Sequence, residues 1–426
     1  MDKKLFLDVL NKELVPALGC TEPVAIALAA ATAIKYLKGE TVIDIKVLAS
    51  NNIIKNALAV VIPGTGSCGI NLAAALGSLS KNQEKCLEVL NGLNETDITK
   101  AKSMIKDGLI SVNLADTTKK LYIEVIIKTL ESSSRVVIQD MHTNITLIEV
   151  DGIIIKDDFS EDVIEKEKNY DFLSIDTIWD FIKSVDINKL DIVKKSIEMN
   201  KKIAVFGLEN SYGLQVGRTI KDAINKGILA DDMANYAMSL TSAGSDARMG
   251  GCLLSVMSNS GSGNQGIAAT LPVEAVWEKL KLSEEKLLRA TALSHLVTIH
   301  IKSKFGRLSA LCGVTIAATG ASCGIAYLLE GDKKSVQSSI QNMIGNVAGI
   351  FCDGAKAGCA LKVSTCTNAA VQSALLAING IVIKATDGII DENVEKTIDN
   401  LCRLGNMGTF ETDKIILDIM LNKESC

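Results

Sequence analysis

The residues best equipped for chemistry are cysteines. CDGAKAGC spans residues 352–359, where Cys352 and Cys359 bracket six small or charged residues and Gly354 lies two places after the first. This CxxxxxxC spacing is not the CxxC pair of a zinc ribbon or a thioredoxin-type redox site. Cys312, in RLSALCGVT, stands forty residues before Cys352. His295 and His300 precede it, but their HxxxxH spacing is not a HExxH signature, and no common zinc finger is completed. A single cysteine in a helical protein is usually a small buried hydrophobe. Three in glycine-rich breaks let backbone wrap a bulky metal group. At this level, packing and metal binding both stay open. Lys356, in the same motif, also leaves open a Schiff base to pyridoxal phosphate.

Three further stretches carry reactive or hydrogen-bonding groups. In LGCTEP (18–23), Pro23 sits where the first turn of a helix belongs, with Cys20 or Thr21 as the cap. A cysteine at a helix start meets unpaired N–H groups and the positive end of the dipole, which favour thiolate. Glu22 opposes this if it faces the sulfur. SNSGSGNQG (258–266) is almost wholly small or hydrogen-bonding. Such a loop can form a nest for a carboxylate or phosphate. It is neither a Walker loop nor a dinucleotide fingerprint. Its apolar flanks, GGCLLSVM and IAATLPV, place it inside the protein, where its polar backbone needs partners. His142, in MHTNI, reads as a strand residue with a satisfied side chain.

The elements that position these groups follow from periodicity. Residues 3–15 form an amphipathic pattern, and VAIALAAATAIKYLK (24–38) an alanine-rich helix. TVIDIKVLAS alternates as a strand, and NALAVVIPGTG reads as a second strand ending in a turn. Helical segments follow near 68–79, 83–91 and 97–107. Residues 109–156 read as an antiparallel meander, and after 157 the helical period persists. The expected fold is therefore α+β, a large mainly helical core with a small antiparallel-sheet domain inserted. Its parts are 1–39, helices packing on the helical core; 40–156, the small α+β domain; and 157–426, the helical catalytic domain.

Composition narrows the function. The chain has 426 residues, 47% hydrophobic but only 4% aromatic, so its core is built from Ala, Ile, Leu, Val, Gly and Cys. A net charge of −5 without a basic stripe argues against nucleic acid. The start lacks the unbroken apolar run of a signal peptide. Residues 308–329 are long enough to span a bilayer, but they are rich in Gly, Ser, Thr and Cys and stand alone. They read as a buried helix, with no membrane partner and a cytoplasmic setting. Eleven cysteines are then not a disulfide framework. A chain this apolar is compatible with a homodimer.

LGCTEP, the segment ending in IPGTG, HTNI, SNSGSGNQG, the Cys312 segment and CDGAKAGC occur in this order. In this the chain resembles, over nearly its whole length, the L-cysteine desulfidases and their relatives, the α part of bacterial iron–sulfur L-serine dehydratases. The resemblance implies an oxygen-sensitive [4Fe–4S] cluster held by Cys312, Cys352 and Cys359, with Cys20 as the catalytic base. It does not carry Cys323 or Cys366 over as ligands. Three thiolates leave one iron open as a Lewis acid. The expected reaction removes the α-proton and β-thiol of L-cysteine to give aminoacrylate, which tautomerises and hydrolyses to pyruvate and ammonia, with hydrogen sulfide released. L-Serine by the same mechanism is the alternative. A pyridoxal-phosphate lyase and a non-enzymatic iron–sulfur sensor stand further off. Ser258, Asn259, Ser260, Gly261 and Asn264 are expected to hold the substrate, with Thr21, Glu22 and His142 nearby.

Overall fold

Alanine-rich helices can approach each other closely, and helix Thr21–Lys35 is built on this: every residue from Thr21 to Ala33 is buried. It packs on helix Ile70–Leu79, where a Cβ added to Gly77 would lie 2.3 Å from the carbonyl oxygen of Ala27. Only glycine permits that approach. The computed structural model describes residues 2–37, 41–80, 82–159, 170–305 and 310–423.

Helix Thr21–Lys35 also lies under a six-stranded sheet. The strands run in the order Ile110–Leu114, Asp44–Ala49, Tyr122–Lys128, Ser133–Gln139, Ile145–Val150, Ile153–Asp157. The first pair is parallel and the others antiparallel. Asp44–Ala49 alternates strictly, with Ile45, Val47 and Ala49 buried, as a sheet with one covered face requires.

NALAVVIPGTG differs from its sequence reading. Asn51–Ala57 is a helix that buries Ile53, Ile54 and Ala57, and only Val61 makes an isolated bridge, to Cys68. That helix takes in only Asn56 and Ala57 of the stretch; residues 58–66 follow as bends and a turn, so no strand forms there. His142 likewise lies in the turn between two strands rather than in one.

A second core gathers most of the helices that follow residue 170. Helix Gly313–Leu328 runs through it, against Gly263–Leu280, Glu284–Phe305, Lys333–Val347 and Cys359–Ile378. It is the buried helix expected from 308–329; residues 308 and 309 lie outside the described residues. Among the described residues no helix is long and apolar enough to cross a membrane. The result is the mainly helical α+β fold expected from the sequence.

Helix Lys3–Glu13 joins the helical core through Phe6, Val9 and Leu10. Helix Thr21–Lys35 instead joins the sheet, whereas the sequence reading placed both N-terminal helices on the helical part. We propose the division into 1–39, 40–156 and 157–426 with this helix packed on the middle part. The last helix, Phe410–Leu421, returns to the sheet side: Leu417 enters that core, and Asp413 pairs with the buried Lys55.

Candidate active site

Two chain segments are stitched together beside Cys312. The Cys312 N–H donates to Ile350 O (2.9 Å), the Cys352 N–H donates to Ala310 O (2.6 Å), and Leu311 bridges Phe351. This places Cys312 and Cys352 diagonally across the Leu311–Phe351 bridge, where each thiol acts on the other. Gly354, at φ +89°, then turns the chain toward Cys359, the first residue of helix Cys359–Ile378. A Cβ at Gly354 would lie 2.4 Å from Lys55 O, so the turn needs glycine both for its backbone angle and for space.

The three thiols share one environment. Burial pushes the Cys312 thiol far up, and Cys352, Cys366 and Cys359 push it further. Burial also raises Cys359, with Cys352 adding to it and Lys356 and Lys362 opposing. Both lysines pair with Asp353. The Cys352 thiol lies 4.0 Å from Asn56 Oδ1 and the Cys359 thiol 3.8 Å from Gly354 O, so neither makes a strong hydrogen bond.

The two cysteines left open by sequence now separate. Cys323 donates to Thr319 O and faces Ser339, between two helices. Cys366 is fully buried, raised to about 12 by burial, and acts on Cys312. It sits two turns after Cys359 on one helix face.

Cys20 caps helix Thr21–Lys35 with its backbone only. Its thiol donates to Glu22 Oε2 at 3.1 Å. Glu22 therefore does face the sulfur, and the expected thiolate is not the resting form: burial and the Glu22 charge hold the thiol well above its ordinary range, with Arg248 opposing. Thr21 donates to the same carboxylate oxygen (3.0 Å) and Asn56 to the other (2.9 Å). His142 Nε2 lies 3.8 Å from Glu22 Oε1. Burial disfavours the Glu22 carboxylate, but His142, the Cys20 thiol and its own backbone N–H outweigh it and keep it ionised. Both His142 nitrogens are buried without a hydrogen-bond partner, unlike the satisfied histidine expected.

SNSGSGNQG is buried, as its flanks indicated. Ser260 (φ +49°) and Gly261 (φ +84°) make a tight turn closed by mutual hydrogen bonds between Asn259 and Ser262. The loop's side chains are largely engaged within the fold. Ser258 donates through N and Oγ to Val15 O, and the Ser260 N–H donates to Glu13 O. Ser260 Oγ donates to Asn259 Oδ1, and Asn259 Nδ2 donates to His295 Nδ1 at 3.0 Å. Burial holds His295 down at about 3, so it is neutral and accepts this bond. Gly261 and Ser258 line a cleft of about 70 Å³ together with His142. Asn264 Oδ1 and Gln265 Oε1 are buried without partners.

These parts meet. Cys20 packs in one apolar cluster with Val60, Met249, Ala355 and Cys359. Helices begin here at Thr21, Gly263, Gly313 and Cys359. A Cβ at Gly313 would lie 2.6 Å from Gln265 Oε1, which joins the polar loop to the Cys312 helix start. Sequence reading missed two residues of this constellation. Asn56, which touches both Glu22 and Cys352, was hidden in the misread strand. Arg248 gave one signal, a lone arginine in the small-residue stretch SLTSAGSDARMGG.

The arrangement fits an iron–sulfur group. Its donors are sulfur alone, which selects soft metal chemistry. Among the described residues no three His, Cys, Asp or Glu side chains converge tightly enough for a single ion. The thiols of Cys312, Cys352 and Cys359 lie near enough to act on one another. Gly354 and Gly313 let Lys55 O and the Gln265 side chain close in beside these cysteines.

A mainly helical α+β protein with a partly buried group of thiols near a helix-capping cysteine is the class that fold and site define. The family model for the serine dehydratase alpha chain matches residues 84–418, and the chain belongs to that family. It is 47% identical over 423 residues to the UPF0597 protein of Clostridium perfringens strain SM101, covering 99% of each chain. It is 45% identical to the UPF0597 protein of Oleidesulfovibrio alaskensis over 98% of each. For that of Parabacteroides distasonis the identity is 43%, over 100% of this chain and 99% of the other.

Proposed function

We propose that the protein is a non-redox lyase that eliminates the β-substituent of a small L-amino acid, with L-cysteine as the substrate and pyruvate, ammonia and hydrogen sulfide as products. The observation that carries this reading is the closeness of the two reactive centres: Cys20, a proton-transfer group, shares one small apolar cluster with Cys359 of the thiol group. The serine dehydratase family supports a lyase of this type, and its name favours L-serine as the alternative substrate.

Cys312, Cys352 and Cys359 would hold a [4Fe–4S] cluster. When bound, it supplies a Lewis acid at the iron that no protein thiolate covers. The chain's own groups do the rest. Cys20 Sγ takes the α-proton once its own proton has left, and Glu22 Oε2, which accepts the thiol's hydrogen bond, holds it in position. Thr21 and Asn56 fix that carboxylate, and His142 stands beside it. Gly261, Ser258 and Asn264, with Asn259 and Ser260 behind them, shape the polar wall. Burial of these groups excludes bulk water. The partner is a small amino acid, with neither nucleic acid nor membrane involved, and the setting is the cytoplasm of a cell, as a homodimer.

Anaerobic reconstitution with iron and sulfide analysis tests this. Cys20→Ser should keep the iron and lose at least about 100-fold of the elimination rate. Loss of iron in that variant would make Cys20 a ligand and overturn its role. A kcat/KM far higher for serine than for cysteine would replace the substrate.

A further inference from the structure

Arginine is almost never fully buried unless paired, since its guanidinium stays charged with five N–H donors to satisfy. Arg248 is only 3% exposed. Its Nε has no hydrogen-bond partner, and no carboxylate among the described residues pairs with it. Its position is well defined. On one side lies the start of helix Gly263–Leu280, where a Cβ at Gly263 would be 2.2 Å from Nε and 2.6 Å from Cζ. Cys20 is close by: the adjacent Met249 shares its small apolar cluster, and its thiol feels the arginine charge. The nearby acid cannot serve as its counter-ion: Glu22 is engaged by Cys20, Thr21, Asn56 and His142. A fixed cation thus faces the site with its charge unspent. Buried acceptors without partners, Asn264 Oδ1 and Gln265 Oε1, stand on the same helix start. A cation and free acceptors together match a zwitterion.

We propose that Arg248 is the receptor for the substrate carboxylate, so that the site selects a small α-amino monocarboxylate gripped beside Cys20. Guanidinium and carboxylate match as two parallel N–H···O bonds, which fix orientation as well as position. This holds the α-carbon next to the thiol. It assigns the role expected of Ser258, Asn259 and Ser260 to a residue whose donors are free, since theirs are used inside the fold. The reaction follows from the elimination reading above; the binding claim is tested separately.

The probes are L-alanine, which has the α-amino carboxylate but no leaving group, and L-alaninamide, which lacks the negative charge. Calorimetry on anaerobically loaded protein should show binding of alanine and not of alaninamide. Arg248→Met should weaken alanine on the order of 30-fold or more, with circular dichroism and iron content unchanged. Arg248→Lys keeps the charge without the fork and should fall between. It also carries the test if Arg248→Met does not fold. Equal affinity for alanine and alaninamide, no alanine binding at all, or unchanged alanine affinity in a folded variant overturns the proposal. If alanine binding depends on Arg248 but neither cysteine nor serine is turned over, the elimination reading fails and the receptor stands. If turnover persists in Arg248→Met with unchanged KM, the receptor fails and the lyase stands.

Discussion

Cys20 is subject to opposing forces. As the cap of helix Thr21–Lys35 it meets the positive end of a dipole, worth typically less than about 1 kcal/mol at such a position. Against this stand complete burial and a carboxylate 3.1 Å away. Each of these can move a pKa by more than one unit, so they win, and the thiol rests protonated. The sign of the pH dependence follows. The proton acceptor must be deprotonated, so kcat/KM should rise with pH and still be rising above the ordinary thiol value of 9.0. Glu22→Gln removes the repelling charge, and the alkaline limb should then move down by about one unit or more. A pH–rate profile of the two loaded proteins measures this; a limb that does not move removes Glu22 from control of the thiol. At this scale the sequence was informative about residue types. Cysteines at helix starts can be read from LGCTEP and CDGAKAGC because local spacing defines them. Arg248 could not be read in the same way, because its significance is a missing partner, and that is a long-range fact.

Helix starts and one turn assemble the site. The Cys312–Cys352 pairing rests on backbone hydrogen bonds between 310–312 and 350–352, and the step to Cys359 rests on Gly354. Gly354→Ala puts an L-residue at φ +89° and a Cβ 2.4 Å from Lys55 O, a backbone atom that cannot swing aside. The strain alone costs on the order of 1–3 kcal/mol. Iron per chain and melting temperature should both fall. Gly349→Ala is the control, because its Cβ would meet nothing within 4 Å; it should leave both unchanged. Equal iron in the two variants would remove Gly354 from the cradle. The elements themselves were legible where burial follows a strict period, as in Asp44–Ala49 and the alanine-rich helix. NALAVVIPGTG was not, because its apolar run suits a strand, whereas its first residues end the helix Asn51–Ala57, packed on the 410–421 and Thr21–Lys35 helices, and the rest is bend and turn. His142 was misplaced for a related reason: a two-strand turn interrupts the alternation around it.

The two cores meet at the thiols, and the chain's last helix ties them. Val60 from the sheet side and Met249 from the helical side close on Cys20. Helix Phe410–Leu421 follows the helical part, yet its Leu417 lies in the sheet-side core and its Met420 reaches Gly354. The tie is the Lys55–Asp413 ion pair, with the lysine 1% and the aspartate 15% exposed. An ion pair this buried contributes little net stability, but removing one partner strands the other, at about 3–5 kcal/mol. Asp413→Ala should therefore lower the denaturant midpoint markedly. It should also reduce iron retention, since the carbonyl of Lys55 is the wall against which Gly354 turns. Replacing both partners, Lys55→Met with Asp413→Leu, removes the stranded charge and fills the same space. It should restore most of the midpoint and the iron. Unfolding curves and iron assays on the two variants separate the outcomes. If the double variant regains stability but not iron, the ammonium itself matters to the cluster site. If Asp413→Ala changes neither quantity, the last helix does not hold the site, and the cores are joined by Cys20 and its neighbours alone.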